Sequence, residues 1–470
     1  MTTTNPALPR PNVLWVIADQ FRAQAMAYHG DPNASTPNLD NLAGTGVCFS
    51  QARSGFPLCC PARGSFLTGR YPHHVVPGHE YRLPPDQATI AQVFNAEGYR
   101  TAYFGKWHLD GFHERDGRAA MHIVPEERRG GFQTWVGYEN NNSPWDCWVH
   151  GGESDAAVPS RLPGYETDAL TDLLIAFLHQ QVTPTEESTP FFAVLSVQAP
   201  HDPYIAPEQF RRRFSPAALQ MRPNVPDVPW VTERARRDLA GYYGSIANVD
   251  WNVGRIVTAM RDAGLLDSTH ILFLSDHGDM HGSHGQFRKT GPYEESVRIP
   301  FIMSGERSFY GRRTGDSRVL LNHVDVAPTT LGLCGLPIPE WMEGTDFSGH
   351  RLGTRTLATV DSMYLQSVIP TGHGDSVEFP WRGLVTEEGW KYVAFEGMPW
   401  LLFNLAEDPY EQVNLAYNPR YGAIRRQLND RLGAWITDTG DAFQLPDFSL
   451  RRGGGVRDTT ADEASAKTTL

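Results

Sequence analysis

Short apolar runs alternate with helix-like stretches over the first 350 residues, and this alternation limits the possible folds more than any other feature. Five runs have the length and composition of buried strands: Val13–Ala18, Ala102–Phe104, Phe191–Val197, Ile271–Leu274 and Ile299–Met303. Between them lie stretches typical of helices: Ile90–Glu97, Ala169–Gln180, Arg236–Ala263 and Val324–Leu333. The pattern predicts an α/β fold in which helices sandwich a mostly parallel mixed sheet.

The sequence pattern changes after residue 350, where short strand-like runs replace the alternation of strand-like and helix-like segments. We predict strands at Thr356–Val360, Trp381–Val385 and Trp390–Phe395, and a last amphipathic helix at Ala423–Ile436. Because a single core stops growing at roughly 250–300 residues, a second domain is expected in a chain of 470 residues. We therefore predict a large α/β domain over residues 1–350, a small C-terminal domain of antiparallel sheet plus helix over 351–450, and a disordered tail over 451–470.

The overall charge argues against nucleic acid as a partner. The chain has 41 basic and 54 acidic residues, a net charge of -13, which would repel a phosphate backbone. No apolar run is long enough to span a bilayer, so we expect no membrane association. The cysteines are few, odd in number and scattered, which predicts reduced thiols and a cytoplasmic location; they are Cys48, Cys59, Cys60, Cys147 and Cys334.

Polar residues follow two of the predicted strands directly. Asp19 and Gln20 come after the first run, and Asp276 and His277 come shortly after Ile271–Leu274. Ligands of open α/β sheets lie outside the carboxyl ends of the strands, so these four side chains are expected to meet. Either pair alone is more often a helix cap or a loop hydrogen bond. Together, two carboxylates and two neutral donors predict a site for a divalent cation.

Three further segments add basic groups. Lys106 and His108 are two residues apart, so on an extended segment both point to one face, as suits an anionic substrate. His201 lies between prolines on a stiff loop after another predicted strand, and Lys289 follows His277 by twelve residues. Taken singly, each of these residues is more often solvated surface or an unrelated histidine.

The segment Cys59-Cys60-Pro61-Ala62-Arg63, followed by Leu67-Thr68-Gly69-Arg70, is the most specific motif in the chain. A C-x-P-x-R pattern alone occurs by chance in roughly one chain of this size in fifty. The L-T-G-R extension makes a chance match much rarer. Proline suits the first turn of a helix, and the N-terminal dipole of such a helix favours a bound anion. The plain alternative is that Cys59 is a buried thiol, which behaves as a small apolar residue.

Together these segments resemble the type I sulfatases, formylglycine-dependent enzymes of the alkaline phosphatase superfamily. The resemblance covers roughly residues 11–305 and continues in residues 402–409. It implies an alkaline-phosphatase-like fold and the hydrolysis of aryl, carbohydrate or small alkyl sulfate esters. It also implies that a maturase oxidises Cys59 to formylglycine, because Pro61 and Arg63 fix the register of the motif.

Carried over residue by residue, the resemblance assigns roles to the candidate residues. It implies a metal site formed by Asp19, Gln20, Asp276, His277 and the formylglycine at Cys59, and it surrounds this nucleophile with Arg63, Lys106, His108, His201 and Lys289. Two positions depart from the family pattern, since Gln20 is often aspartate and His277 is asparagine in many members. Calcium is the ion that the resemblance implies, but an imidazole ligand leaves Mn²⁺ or Mg²⁺ open.

A formylglycine hydrate has two hydroxyl groups, and this suggests a reaction sequence. One hydroxyl, with Asp276 as the base, attacks sulfur while His201 or Lys289 protonates the leaving oxygen. The second hydroxyl, deprotonated by His108, then expels sulfate and restores the aldehyde. Arg63 and the neighbouring cations stabilise the charge that develops on the sulfate oxygens.

Two other functions stay open at this point. Phosphonate monoester and phosphodiester hydrolases resemble this chain at Cys59, Gln20 and His277, but they tend to carry hydroxyl side chains where Lys106 and His108 stand. A non-catalytic binder of sulfated ligands would keep Cys59 as a thiol. The leaving group is not readable from the motifs, although residues 135–150, or His373 and Trp381, could line its pocket.

Overall fold

The computed structural model describes residues 10–152, 158–181, 189–305, 312–375 and 377–448. Its strands are β1 Asn12–Asp19, β2 Val47–Phe49, β3 Ala52–Arg53, β4 Arg100–Lys106, β5 Thr134–Tyr138, β6 Trp148–Gly151, β7 Ser160–Arg161, β8 Phe191–Pro200, β9 Thr269–Ser275, β10 Phe301–Gly305, β11 Gly315–Ser317, β12 Leu321–Asn322, β13 Ser362–Ser367, β14 Trp381–Thr386, β15 Trp390–Phe395 and β16 Met398–Asn404. Its α-helices are α1 Pro37–Thr45, α2 Cys59–Thr68, α3 Pro72–Val75, α4 Ile90–Ala96, α5 Glu166–His179, α6 Glu208–Arg211, α7 Pro229–Asp262, α8 Glu294–Val297, α9 Val326–Leu333 and α10 Gly422–Asp438.

The main sheet has its strands in the order β11-β2-β10-β9-β1-β8-β4-β5-β6-β7. The five central strands β9, β1, β8, β4 and β5 run parallel to one another. On the two sides, β10 and β6 join them in the antiparallel direction. The predicted mostly parallel mixed sheet is confirmed, and its parallel centre brings the carboxyl ends of β1, β4, β8 and β9 to one edge.

Both faces of the sheet are covered by helices, as predicted. Along β1, Leu14 and Val16 belong to one buried cluster, while Val13 and Trp15 belong to another, because successive side chains point to opposite faces of a strand. Helix α7 covers the first face with a stripe at helical spacing: Leu239, Tyr242, Ile246, Val249, Val253, Ile256 and Met260. Helices α2, α4 and α9 cover the second face.

The long helix α7 begins at Pro229, earlier than the predicted start at Arg236. Proline at the first helical position needs no N–H partner, and Val231 and Ala235 are buried against Phe287 in a small cluster of their own. This extra contact with a distant loop is not visible in the local periodicity. The predicted helix Val324–Leu333 likewise divides into a 3-10 turn at His323–Asp325 followed by α9.

The last part of the chain forms a separate antiparallel sheet in the order β13-β14-β15-β16, with α10 packed against it. The predictions of β14, β15 and α10 are confirmed. The predicted strand at Thr356–Val360 is wrong, because that segment packs Ala358 and Val360 against the core of the main sheet and pairs with no strand. The neighbour of β14 is instead β13, with Ser362 opposite Thr386.

A buried ionic network joins the small antiparallel sheet to β3 and to helix α8. Arg53 holds both carboxylate oxygens of Glu294 at 2.9 Å. Lys391 on β15 contacts Glu294 at 2.7 Å and Glu411 at 2.6 Å. Each charge in this buried network has an opposite neighbour, as a low-dielectric interior requires.

The domain boundaries at residues 350 and 450 stay predictions, and the predicted disordered tail lies outside the described residues. Within the described ranges, none of the helices combines the length and apolar character needed to cross a membrane.

Candidate active site

Two neighbouring strand ends bring the predicted metal ligands together. Asp19 is the last residue of β1, and Asp276 follows β9, with Ala18 paired to Ser275. The Asp276 carboxylate accepts the backbone N–H groups of Gln20 and His277, each at 3.0 Å. These bonds fix the turns that leave both strands, so the four predicted ligands share one edge of the sheet.

Cys59 is the first residue of helix α2 and points into this cluster. It is 2% exposed, and its Sγ lies 3.1 Å from His277 Nε2, 3.6 Å from Asp19 Oδ1 and 3.3 Å from Lys289 Nζ. A helix N-terminus favours negative charge, so the position suits an anionic reaction centre. Every residue of α2 is buried, which rigidly fixes the position of Cys59.

Two buried cations contact Asp19 from the other side. Lys106 Nζ lies 2.7 Å from Asp19 Oδ2, and the Arg63 guanidinium lies 3.1 Å from Asp19 Oδ2 and 3.1 Å from Asp276 Oδ2. Burial alone would raise the pKa of Asp19, but Lys106, His201 and Arg63 hold this pKa well below its usual value. Asp19 is therefore a permanently charged carboxylate, available both to these cations and to a metal ion.

The tautomer of His277 is fixed by its second nitrogen. Nδ1 donates to the carbonyl oxygen of Gly278 at 2.9 Å, so Nε2 carries the lone pair and faces Asp19 and Asp276 at 3.6 and 3.8 Å. Burial and the charge of Lys289 lower the pKa of His277, which keeps the ring neutral. Ligand atoms of Asp19, Cys59, Asp276 and His277 all lie within 4.8 Å of one another. Two carboxylates and one free imidazole nitrogen fit a divalent cation.

Gln20 is oriented by a residue that the motifs did not indicate. Its Nε2 donates to the Asp279 carboxylate and, at 3.3 Å, to the Tyr204 hydroxyl. Since a carboxylate accepts only, this contact fixes the flip of the amide and directs Oε1 to Lys289 Nζ at 2.8 Å. Asp279 lies three residues after Asp276, and this proximity is the one sequence signal that could have pointed to it.

His201 and Lys289 form a pair over Cys59. Nδ1 of His201 donates to the Asp202 carbonyl oxygen at 2.8 Å, so Nε2 accepts a hydrogen bond from Lys289 Nζ at 2.8 Å. Burial would lower the pKa of Lys289, but Cys59, Asp19 and Asp202 raise it above its usual value. In this arrangement Lys289 carries the proton that lies between it and His201 Nε2.

His108 lies on the turn that follows β4, at φ 58°, while Trp107 packs away from it in the aromatic core. Burial and the charge of Lys106 hold the pKa of His108 well below its usual value, so the ring is neutral. The turn is held by Glu139, whose carboxylate accepts the backbone N–H groups of four successive residues, 109–112, at 2.9–3.4 Å. Sequence reasoning missed Glu139, because it lies about thirty residues further along the chain, directly after the neighbouring strand β5.

The mouth of the site combines His373, which the sequence indicated as a possible pocket residue, with residues that the motifs missed. His79 lies with its ring centroid 5.7 Å from His108 and 5.6 Å from His373, which belongs to the loop before β14. Asp202 and Arg288 stand 3.5 Å apart and are partly exposed. These side chains give the entrance a polar lining. Of the segment 135–150, Trp135 packs in the core against Tyr103 instead.

The small sheet supports the Lys289 loop. Trp381 Nε1 donates to the carbonyl oxygen of Thr290 at 3.0 Å, and the Val377 N–H donates to the Thr290 hydroxyl at 2.9 Å. The Thr290 N–H in turn donates to the Pro57 carbonyl oxygen at 3.1 Å, just before α2. Lys289 and Cys59 are therefore held at a fixed separation by a contact that includes the last third of the chain.

Gly105 permits the placement of Lys106, and its replacement tests that role. Its φ is +107°, and a Cβ there would lie 2.0 Å from the Ser196 carbonyl oxygen on β8. We expect Gly105→Ala to lower the free energy of unfolding by about 2–4 kcal/mol and to reduce turnover, because β4 must move away from β8. Gly315→Ala is the matched control, since Gly315 has φ +106° and nothing within 4 Å of its Cβ position. Equal loss of thermal stability in both variants would show that only backbone strain matters.

Comparison with known proteins gives consistent matches along the chain. The family model described as Sulfatase matches residues 11–336, and the one described as N-sulphoglucosamine sulphohydrolase, C-terminal, matches residues 282–438. An ulvan-active sulfatase from Formosa agariphila is 32% identical over 454 residues, covering 94% of this chain and 84% of the relative. An endo-4-O-sulfatase from Bacteroides thetaiotaomicron is 28% identical, covering 92% of this chain and 93% of the relative. A solved structure from Bacteroides fragilis, described as the sulfatase YidJ, has a TM-score of 0.82 at 27% identity, covering 94% of this chain and 99% of that one.

Proposed function

This chain belongs to the sulfatase family of sulfuric ester hydrolases, and we propose that it hydrolyses carbohydrate sulfate esters through a formylglycine formed from Cys59. The observation that carries this proposal is the position of Cys59 at the start of α2, between two buried carboxylates and the Lys289 ammonium. Although the protein as a whole is acidic, the pocket is locally cationic. Its positive charge attracts the sulfate group of the substrate out of the solvent.

Conversion of Cys59 must precede folding. The thiol is 2% exposed and all of α2 is buried, so a maturase has no access to the folded segment. We therefore propose that a formylglycine-generating maturase acts on the unfolded motif, and that oxidation replaces the sulfur by oxygen, so that Cβ of Cys59 becomes the aldehyde carbon. We also propose a cytoplasmic location, which is supported by the few, scattered cysteines and which cell fractionation would test.

The reaction needs three proton transfers, and the chain has a group for each. One hydroxyl of the formylglycine hydrate, with Asp276 as its base, attacks sulfur, and the bond from sulfur to the sugar oxygen breaks. The sugar oxygen takes a proton from Lys289, which already donates to His201. His108 then accepts the proton of the second hydroxyl, the carbon–oxygen bond to sulfate breaks, and the aldehyde is restored.

Arg63 keeps its charge throughout these steps, because Asp276 and Asp19 raise the pKa of its guanidinium above the usual value, and Lys106 Nζ is held 2.7 Å from Asp19. Their guanidinium and ammonium groups are in place before the substrate arrives, so no reorganisation is needed as charge grows on the sulfate oxygens. This preorganisation is the main contribution of the buried pocket.

We propose that Asp19, Gln20, Asp276 and His277, with the group at position 59, hold one divalent cation. When bound, it would polarise the sulfate and lower the pKa of the attacking hydroxyl. Oxygen donors favour Ca²⁺, and the free Nε2 of His277 leaves Mg²⁺ or Mn²⁺ as alternatives. Asp279 would then act through Gln20, by keeping its amide oxygen turned to the site.

A carbohydrate leaving group is supported by the polar mouth. Asp202, Arg288, His79 and His373 offer charged or hydrogen-bonding groups where a sugar's hydroxyls would emerge. The names of two relatives, an ulvan-active sulfatase and an endo-4-O-sulfatase, point to the same substrate class. Phosphonate monoesters are the second candidate, but Lys106 and His108 favour a sulfate.

A substrate panel tests the proposal. We expect kcat/KM on a sulfated oligosaccharide to exceed that on choline sulfate and on phenyl phosphonate by at least about tenfold. This is the factor that one additional hydrogen bond to a charged group contributes. Arg288→Ala should raise KM for the sulfated sugar by about tenfold and leave a small aryl sulfate nearly unaffected. Arg237→Ala, on an exposed face of α7, is the control. Faster turnover of the phosphonate would contradict the proposal.

A further inference from the structure

A second group of potential metal ligands lies beside the catalytic cluster, with a different chemistry. Ligand atoms of Cys60, His79 and His108 all lie within 4.8 Å of one another. The catalytic cluster is rich in carboxylate oxygen, whereas this group offers one sulfur and two imidazoles. Soft sulfur and nitrogen ligands select Zn²⁺ over Ca²⁺ or Mg²⁺.

Within the described residues, three of the four ring nitrogens of this group lack a hydrogen-bond partner. His108 is 2% exposed, and within the described part of the chain neither of its ring nitrogens has a hydrogen-bond partner. The same holds for the buried Nδ1 of His79. A buried imidazole normally has at least one hydrogen bond, so an unsatisfied pair of rings in contact needs an explanation. A bound cation that both nitrogens ligate would supply one.

The thiol is also directed to this space. Cys60 is completely buried, and its Sγ accepts the backbone N–H of Glu80 at 3.3 Å, which leaves sulfur lone pairs for a metal. The carboxylate of Glu80, 3.7 Å from His79 Nε2, adds a favourable charge, and Glu139 lies near as well. Lys106 and Lys289 oppose a cation here, so binding depends on the ligands themselves.

We propose that Cys60, His79 and His108 form an inhibitory Zn²⁺ site. On binding, the Cys60 thiol loses its proton to solvent and a zinc–sulfur bond forms, while each imidazole donates a lone pair. Tetrahedral zinc places nitrogen and sulfur ligands about 3.4–3.6 Å apart, so ligand atoms that lie up to 4.8 Å apart must approach by up to about 1.4 Å. The partly exposed His79 is the one free to move.

Inhibition follows from the use of His108. A ring that ligates zinc cannot accept the proton of the second hydroxyl, so sulfate release stops. This consequence rests on the proposed function, whereas binding itself does not. The two neighbouring sites would then respond in opposite ways to metals, with hard cations supporting turnover and zinc blocking it.

Calorimetric titration of the whole protein with Zn²⁺, in saturating Ca²⁺, tests binding. We expect one equivalent of tight sites, whose Kd rises at least about 100-fold in Cys60→Ala and at least about tenfold in His79→Gln, because one ligand is lost. Cys334→Ala is the matched control, a buried thiol at the end of α9. Unchanged zinc affinity in Cys60→Ala would overturn the proposal, and so would titration with Co²⁺ that produces no thiolate-to-metal charge-transfer band.

An activity assay distinguishes zinc binding from zinc inhibition. Zn²⁺ should inhibit sulfate-ester hydrolysis with the same affinity that calorimetry gives, and Cys60→Ala should relieve the inhibition. Tight, Cys60-dependent binding without inhibition would keep the site and overturn the role of His108 in turnover. If the chain shows no sulfatase activity at all, the calorimetric result still decides whether the site exists.

Discussion

Cys59→Ala should abolish sulfate-ester turnover, by on the order of 10⁵-fold or more, while the protein still folds. Alanine cannot be oxidised to an aldehyde, so no hydrate hydroxyl is available to attack sulfur. The pocket would still bind the sulfate, because Arg63, Lys106 and Lys289 remain in place. Assay of the purified variant with an aryl sulfate, together with its circular dichroism spectrum, gives the measurement.

The matched control is Cys334→Ala, a second buried thiol that lies outside the site. It should keep full activity. The mass of the peptide that spans Cys59 in the active protein should also be that of the aldehyde and not that of the thiol. Retained turnover in Cys59→Ala, or an unmodified thiol in fully active enzyme, would be incompatible with the proposed nucleophile.

Asp19→Asn should be the most damaging change among the charged residues of the site. The amide is nearly the same shape, but it removes the one charge that Lys106 and Arg63 share at 2.7 and 3.1 Å. Breaking a buried ion pair costs about 3–5 kcal/mol, so the apparent melting temperature should fall by about 5–10 °C. A proposed metal ligand is weakened by the same change, and turnover should fall by at least about a thousandfold.

Asp146→Asn is the control for the charge effect. Asp146 also lies between two arginines, Arg118 and Arg161, each at 2.7 Å, but it is exposed to solvent. An exposed pair is screened by water, so differential scanning fluorimetry should show little change there. Similar melting temperatures for both variants would mean that burial does not govern the strength of the Asp19 contacts.

The central sheet could be predicted because its strands carry their own signal. Fully buried runs such as Val13–Ala18 are apolar on both faces, and local sequence is enough to identify them. The segment Thr356–Val360 has a similar local pattern, yet its apolar residues are buried by the main core instead of by pairing. The whole fold decides whether a short apolar run is buried by strand pairing or by packing against another core. Five residues of local sequence do not contain this information.

Site residues that directly follow a strand or belong to a motif could be predicted from the sequence. Residues whose role is to orient another site residue could not. Asp19 and Asp276 are marked by position, and Cys59 by its motif. Asp279 and Glu139 act through geometry alone: one fixes the amide of Gln20, the other holds the turn at His108. Neither role produces a recognisable sequence spacing. Gln20 and Asp279 are 259 residues apart, and Glu139 lies about 30 residues from the turn that it holds.

The contact between Trp381 and Thr290 has a consequence for protein engineering. A shortened chain that stops before β14 would keep every residue named in the proposed reaction, but the loop that carries Lys289 would lose its brace and Glu294 would lose Lys391. Such a fragment is not a minimal catalyst. Chimeras that exchange the final hundred or so residues between relatives must therefore match Thr290 and Glu294 to the incoming sheet.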